Sequence, residues 1–384
     1  MMRKAKVALL RGHVASPYEL QTYELLRGEF DLTLFSPHLT RVELSGVRIP
    51  HRTLYCPIMG HESFEGKRRE WQAFRARATG RTHSFCGLAD LLSGYDILHT
   101  ADTCYCFSFE AVLAKRRNGS RLAVTQWENI PHLNEDRWMP RVIKSRVLET
   151  ADLFLAVSDG AVQALREEGI GPERIVKTIP GIDTGHFSPG RRDPRVRKRY
   201  GIPEEAWVLL FAGRHVREKG VFTLLEAAKT MKASMSDLHL LMVGLDERGV
   251  QKRARREGLS GFVHFAGFVG YDSMPAFYRA SDAFVLPSME TKGWKEQFGY
   301  VLAEAMASGL PVAGAVSGAI PEVVGKAGVL FAPGSAPGLA SAVSGLRRRE
   351  DAYSRKGCAR ARKAFPLKAS AAAIAKAYRR LLNL

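Results

Sequence analysis

Phe211-Ala212-Gly213-Arg214-His215-Val216-Arg217-Glu218-Lys219-Gly220 holds the architecture of this chain in miniature. The apolar run Trp207–Ala212 reads as a fully buried strand, Gly213 breaks it, and Val221–Met231 carries apolar residues at helical spacing. A strand that ends in glycine and enters a helix is one βα unit of a parallel sheet, with its loop at the carboxyl end of the strand. Backbone N–H groups at a helix start favour an anion. Arg214 can fork onto phosphate oxygens, and Lys219, five residues on, adds a point charge.

The same alternation runs outward in both directions. In the first half, Lys6–Leu10, Leu32–Phe35, Asp96–His99, Leu122–Thr125, Leu153–Val157 and Ile175–Ile179 read as strands, with helical patterns such as Glu19–Arg27, Phe107–Arg117 and Gly160–Glu168 between them. In the second half, strands are expected at Trp207–Ala212, His239–Val243, Val263–Phe265, Ala283–Leu286, Pro311–Gly314 and Val329–Phe331. Helices are expected at Val221–Met231, Gly249–Glu257, Phe298–Ser308 and Ala336–Arg347. Ile179–Pro203 is rich in proline and glycine and reads as the connection between two halves. The fold class is therefore α/β, with two doubly wound, Rossmann-like domains facing each other across a cleft. The expected spans are 1–185, 186–366 and a C-terminal helix 367–384 that crosses back to the first domain. No internal sequence repeat is evident.

At 384 residues the chain is too long for one ordinary core, and its 46% hydrophobic and 25% charged content is that of a globular enzyme. No apolar run approaches the ~18 residues of a membrane span, and the apolar run after the basic start is too short for a signal core, so a cytoplasmic location is expected. The five cysteines (56, 86, 104, 106, 358) form no Cys-x-x-Cys array, so neither a disulfide framework nor a zinc site is expected. The net charge of +18 is uneven: residues 1–185 hold 25 basic and 22 acidic side chains (+3), residues 186–384 hold 32 and 17 (+15). Such a field attracts a phosphorylated small molecule, an acidic membrane or nucleic acid. Basic clusters lie at 191–199, 347–363 and 67–81, the last around Trp71 and Phe74. Zinc-finger spacing and RNA-binding aromatics are missing, which argues against nucleic acid.

Other motifs narrow the chemistry. Gly-x-Gly-x-x-Gly, Gly-Lys-Ser/Thr, Gly-x-Ser-x-Gly and Asp-x-Asp do not occur, which removes the main signals for a dinucleotide enzyme, a P-loop, a serine hydrolase and a metal-bridged sugar nucleotide. Glu296-Gln297-Phe298-Gly299-Tyr300-Val301-Leu302-Ala303-Glu304 places two carboxylates at most about 12 Å apart along a helix opening near Phe298. That is the reach from a sugar on a diphosphate back to a ribose. Gly299 lets a ligand approach the backbone. Ala313-Gly314-Ala315-Val316-Ser317-Gly318-Ala319 is a third strand end in small residues, able to close a phosphate pocket with backbone donors.

Together these segments, with Ile179-Pro180-Gly181-Ile182-Asp183 and Ser281-Asp282-Ala283-Phe284-Val285-Leu286-Pro287-Ser288, resemble glycosyltransferase family 4, retaining nucleotide-sugar transferases of the GT-B fold. The resemblance implies a hexosyltransferase without cofactor or metal, which moves a sugar from a nucleotide diphosphate sugar to an acceptor hydroxyl with retention. It implies that Arg214 and Lys219 bind the donor diphosphate, Glu296 the transferred sugar and Glu304 the ribose. Gly213, Phe298, Gly299 and Gly318 line the sugar–phosphate pocket, and the backbone near Phe268 and Val269 faces the base.

The first half departs from the family. The loop after the first strand, Arg11–Pro17, has one glycine where the family often has a pair, and Gln126-Trp127-Glu128-Asn129 stands where a histidine is frequent. His13, His99, Glu128 and His132 are the acceptor-side candidates. The acceptor is a glycan, a glycolipid, a lipid-linked intermediate or a soluble molecule. Basic patches with Trp71, Phe74 and Trp138 suit peripheral contact with an anionic membrane. A sugar-nucleotide epimerase of similar shape is the alternative reading.

Overall fold

The computed structural model describes residues 3–12, 15–37, 44, 46–54 and 87–383. His13 and the 67–81 cluster with Trp71 and Phe74 lie outside the described residues. The chain divides into two compact units, one of residues 1–181 with 368–384 and one of residues 182–367. It leaves the first unit four residues before the expected boundary at 185.

The first unit is built on seven parallel strands, β1 (Lys6–Leu10), β2 (Asp31–Pro37), β3 (His51–Leu54), β4 (Ile97–Ala101), β5 (Arg121–Gln126), β6 (Leu153–Ala156) and β7 (Ile175–Lys177). Their order is β3-β2-β1-β4-β5-β6-β7. Strand β3 opens with His51 and Arg52, carries only one apolar residue in four and falls at the sheet edge, so it shows no strand signal in the sequence. Central strands are buried on both faces. Val7 and Leu9 pack on one side with Leu20, Ile97 and Leu153, whereas Ala8 and Leu10 pack on the other with Phe107, Val112 and Phe154.

Helix Leu367–Leu382 belongs to this first unit. Its buried positions Ala371, Ile374, Ala375, Tyr378 and Leu381 recur every three or four residues and join the core of β1 and β2. Phe30 meets Tyr378 edge-on at 5.2 Å, and Arg379 pairs with Glu29 at 2.6 Å.

The second unit carries six parallel strands, β8 (Trp207–Ala212), β9 (Leu238–Val243), β10 (Val263–Gly267), β11 (Ala283–Leu286), β12 (Val312–Ala315) and β13 (Val329–Phe331), ordered β10-β9-β8-β11-β12-β13. Counted within each unit, both sheets follow 3-2-1-4-5-6, the doubly wound order, which the first extends by a seventh strand, although no sequence repeat announces it. The order reverses between β1 and β4 in one sheet and between β8 and β11 in the other. Loops leaving such a pair diverge and open a crevice at the carboxyl ends of the strands.

Part of the basic excess of this unit is structural. Arg197, 2% exposed, donates from Nε to the Ala280 carbonyl (2.9 Å), from Nη1 to the carbonyls of Glu204 (2.7 Å) and Ala206 (2.8 Å), and from Nη2 to Asp282 (2.9 Å). The cluster at 191–199 is thus in part an internal brace rather than a solvated face. The 347–363 cluster lies mostly on helix Glu350–Ala364.

Candidate active site

Three segments meet at the carboxyl ends of β8, β11 and β12. The β8 loop ends in a single 3₁₀ turn, Arg217–Lys219, before helix Val221–Ser234. Gly220 joins the two with φ 68°, and a Cβ there would lie 1.8 Å from the Pro287 carbonyl oxygen just past β11. Only glycine lets these two loops touch. The contact presents Lys219 to the segment after β11: Lys219 Nζ lies 2.6 Å from Glu296 Oε2. Ser288 Oγ donates to the same oxygen at 2.7 Å. The β12 segment closes the group. The Glu296 carbonyl accepts from Ala319 N at 2.8 Å, and a Cβ on Gly318, whose φ is 49°, would come within 2.0 Å of that carbonyl oxygen.

Glu296 is 6% exposed and Lys219 retains 18% of its side-chain exposure. Their attraction therefore acts in a medium well below the dielectric of water. Trp294 adds a third partner, with Lys219 Nζ 4.7 Å from its ring centroid. Arg214, at the start of the β8 loop, is exposed and reaches Glu247 at 3.4 Å. The Gly318 N–H is taken by Glu290 Oε1 at 3.1 Å. Gly213 follows β8 and donates to the Val243 carbonyl at 2.9 Å.

The helix after Glu296 starts at Tyr300, two residues later than expected, because Gly299 adopts a left-handed φ of 87° and serves as its N-cap. Glu304 sits on this helix, 5% exposed, and accepts from Tyr278 Oη at 2.8 Å. Burial pushes its carboxyl up to about 7, opposed by that hydrogen bond. Phe298 lies between Glu296 and this helix. It is 3% exposed, with its ring against Tyr300 (5.2 Å) and Phe365 (5.6 Å), and so packs into the unit beside the loop that carries Glu296. Phe268 and Val269 follow β10, and the Phe268 ring is exposed.

In the first unit, His99 proves to be a core residue. Its Nδ1 is 2.5 Å from Tyr378 Oη and its Nε2 2.8 Å from Thr125 Oγ1, and burial holds its pKa well below the ordinary value. With both nitrogens occupied and no exposure, it has no capacity left for an acceptor. Glu128 spends Oε1 on the backbone N–H groups of Asn129 and Ile130, both at 2.9 Å, and burial with the neighbouring Asp102 charge lifts it to about 7. His132 is exposed and pairs with Glu135 at 3.2 Å. Sequence reasoning missed Asp102. It follows β4 at the switch point of the first sheet, holds φ 55°, accepts from Trp127 N at 2.9 Å, and is pushed up to about 6 by burial. A lone Asp after a short strand carries no spacing signal; only the strand order picks it out.

Among the described residues, no cluster of His, Cys, Asp or Glu could hold a metal ion, and no helix is long and apolar enough to cross a membrane.

Comparison with known proteins agrees with this layout. The family profile "Glycosyl transferase 4-like domain" matches residues 19–180 and "Glycosyl transferases group 1" matches residues 193–363. The D-inositol 3-phosphate glycosyltransferase of Streptomyces scabiei is 30% identical over 255 residues, which is 62% of this chain and 56% of that protein. The chain thus spans about half the length of the curated relatives it matches. Among solved structures, Anabaena HepE in complex with UDP and glucose superposes with TM-score 0.79 at 19% identity, covering 98% of this chain and 100% of that one. Sucrose-phosphate synthase from Thermosynechococcus elongatus gives 0.76 at 20% identity, with 99% and 100% covered. The superpositions show a GT-B fold, and with the 4-like profile on the first unit and the group 1 profile on the second, the chain belongs to the glycosyltransferases built from these two domains.

Proposed function

We propose that the second unit binds a nucleotide diphosphate sugar and that the enzyme transfers its hexosyl group, with retention, to an acceptor hydroxyl presented by the first unit. The Lys219–Glu296 pair, fixed by Ser288 at the switch point of a doubly wound sheet, carries this reading. A diphosphate leaving group needs cations where its charge grows, and Lys219 and Arg214 supply them without a metal. Glu296, held in place by Lys219 and Ser288, orients the sugar hydroxyls. Glu304 takes the ribose, Gly213, Gly299 and Gly318 admit the phosphates and sugar close to the backbone, and the backbone at Phe268 and Val269 meets the base. The anomeric bond loosens toward an oxocarbenium-like state. The acceptor hydroxyl then attacks from the face the diphosphate leaves, passing its proton to a phosphate oxygen.

The complexes of HepE with UDP and with UDP-glucose support a nucleotide-sugar donor. Thermal-shift screening against uridine, guanosine and adenosine diphosphate sugars tests the donor, because a ligand at 100 times its Kd adds about 2.7 kcal/mol of stability. NMR of the product's anomeric proton tests retention. Incubation without acceptor separates an epimerase, which would convert the donor alone. If no nucleotide sugar shifts the transition, the reading fails.

For location, the proposal is a cytoplasmic enzyme that touches an anionic membrane. Helix Trp138–Thr150 supports it, presenting Trp138 (66% exposed) and Val142 beside the exposed Arg141 and Arg146. Salt-independent failure to float with anionic vesicles would remove the membrane contact.

A further inference from the structure

The segment between β11 and Glu296 contains a feature that the donor reading does not use. Thr291 and Trp294 close a tight turn through two backbone hydrogen bonds, Thr291 N to Trp294 O at 2.9 Å and the reverse at 3.4 Å. The turn is tied down on one side by Glu290, which accepts from Gly318 N at 3.1 Å, and continues on the other into Glu296. A tryptophan held there is not core filler. Its ring is half-buried, and what it covers is the Lys219 ammonium, 4.7 Å from the ring centroid.

We propose that Trp294 is a positioning residue for the donor diphosphate, acting through Lys219. An ammonium on a four-carbon stem has many rotamers and three donors. Here one donor goes to Glu296 Oε2 at 2.6 Å, and the ring face covers a second side. The π-face attracts the cation and shields it from water, so the ammonium stands ready, with a donor left over, when a phosphate oxygen arrives. Without the ring, Lys219 keeps its ion pair but regains rotamers that must be frozen on binding. The proposal rests on the donor reading above and adds a residue that sets the strength of the diphosphate contact.

The test is calorimetric titration of uridine, guanosine and adenosine diphosphates against the full chain, followed by variants with whichever binds. Trp294→Leu is expected to weaken binding about 5- to 30-fold, the span of a cation–π contact of about 1–2 kcal/mol. Trp294→Phe keeps a π-face and is expected to stay within about threefold of wild type. Lys219→Met with Trp294→Leu is expected to bind no worse than Lys219→Met alone, because the ring acts only through that ammonium. A merely structural tryptophan would give additive losses and no rescue by Phe. Leu as good as Trp, Phe as damaging as Leu, or additive losses would each overturn the proposal while leaving the donor reading intact. Wild-type protein that binds none of the three diphosphates sinks the donor reading itself.

Discussion

Replacing Lys219 with Met separates the two jobs its ammonium performs. In the folded chain it neutralises Glu296, a carboxylate only 6% exposed that also accepts from the Ser288 hydroxyl. Removing one member of a buried pair leaves the other charge without its counter-ion, at a cost of about 3–5 kcal/mol for full burial. Lys219 keeps 18% exposure, so the expected cost is about 2–3 kcal/mol. For a unit near 190 residues, that lowers the melting transition by roughly 4–12 °C. The second job is electrostatic support of the leaving diphosphate, where one preorganised contact is worth about 2.7–4 kcal/mol, or 10²- to 10³-fold in turnover. Adding Glu296→Gln to Lys219→Met removes the stranded charge, so thermal stability should return most of the way to wild type while sugar transfer stays depressed. Differential scanning calorimetry and initial rates with a saturating acceptor read the two effects on the same preparations. Lys219→Met with near-normal turnover, or a double variant that regained activity along with stability, would refute the reasoning.

Other predictions follow from single contacts. Gly220→Ala should lower stability by at least ~2 kcal/mol, measured by denaturant unfolding, because the new Cβ meets the Pro287 carbonyl in a left-handed conformation. Glu304, raised by burial to about 7 from an ordinary 4.5, binds its proton more tightly folded than unfolded. Its contribution is therefore complete below about pH 4.5 and is lost as pH rises through about 7; melting temperatures of Glu304→Gln should fall less between pH 5 and 8 than those of wild type. His239 works with the opposite sign. Burial and the facing His264, 2.8 Å away, lower its pKa to about 4, so its contribution is present above pH 6.5 and lost as pH falls toward 4; His239→Phe should resist mild acid better in a pH-jump unfolding assay. Tyr378→Phe removes the 2.5 Å partner of His99 inside the core, and an unsatisfied buried nitrogen should cost about 1–3 kcal/mol in chemical denaturation.

The sequence by itself determined the strands that are buried on both faces. Trp207–Ala212 and Ala283–Leu286 have the observed bounds, because an apolar run between turn residues has one stable place in a parallel sheet. It also brought forward the three loops that meet at Lys219, Glu296 and Gly318, since the glycines and charges needed there follow strand ends that can be read locally. It did not reveal the edge strand His51–Leu54, whose polar residues obey no apolar period, or the helix Trp138–Thr150. Only the tertiary structure decided burial. His99 looked like a site residue in a linear reading and is core, because what surrounds a side chain comes from elements far away in sequence: Tyr378 lies 279 residues from His99. Strand order did the converse for Asp102 and Trp294, ordinary residues in the sequence that the fold sets beside a switch point and over an ammonium. Local periodicity is written in the chain, whereas the electrostatic environment of a group depends on which distant segments exclude water from it.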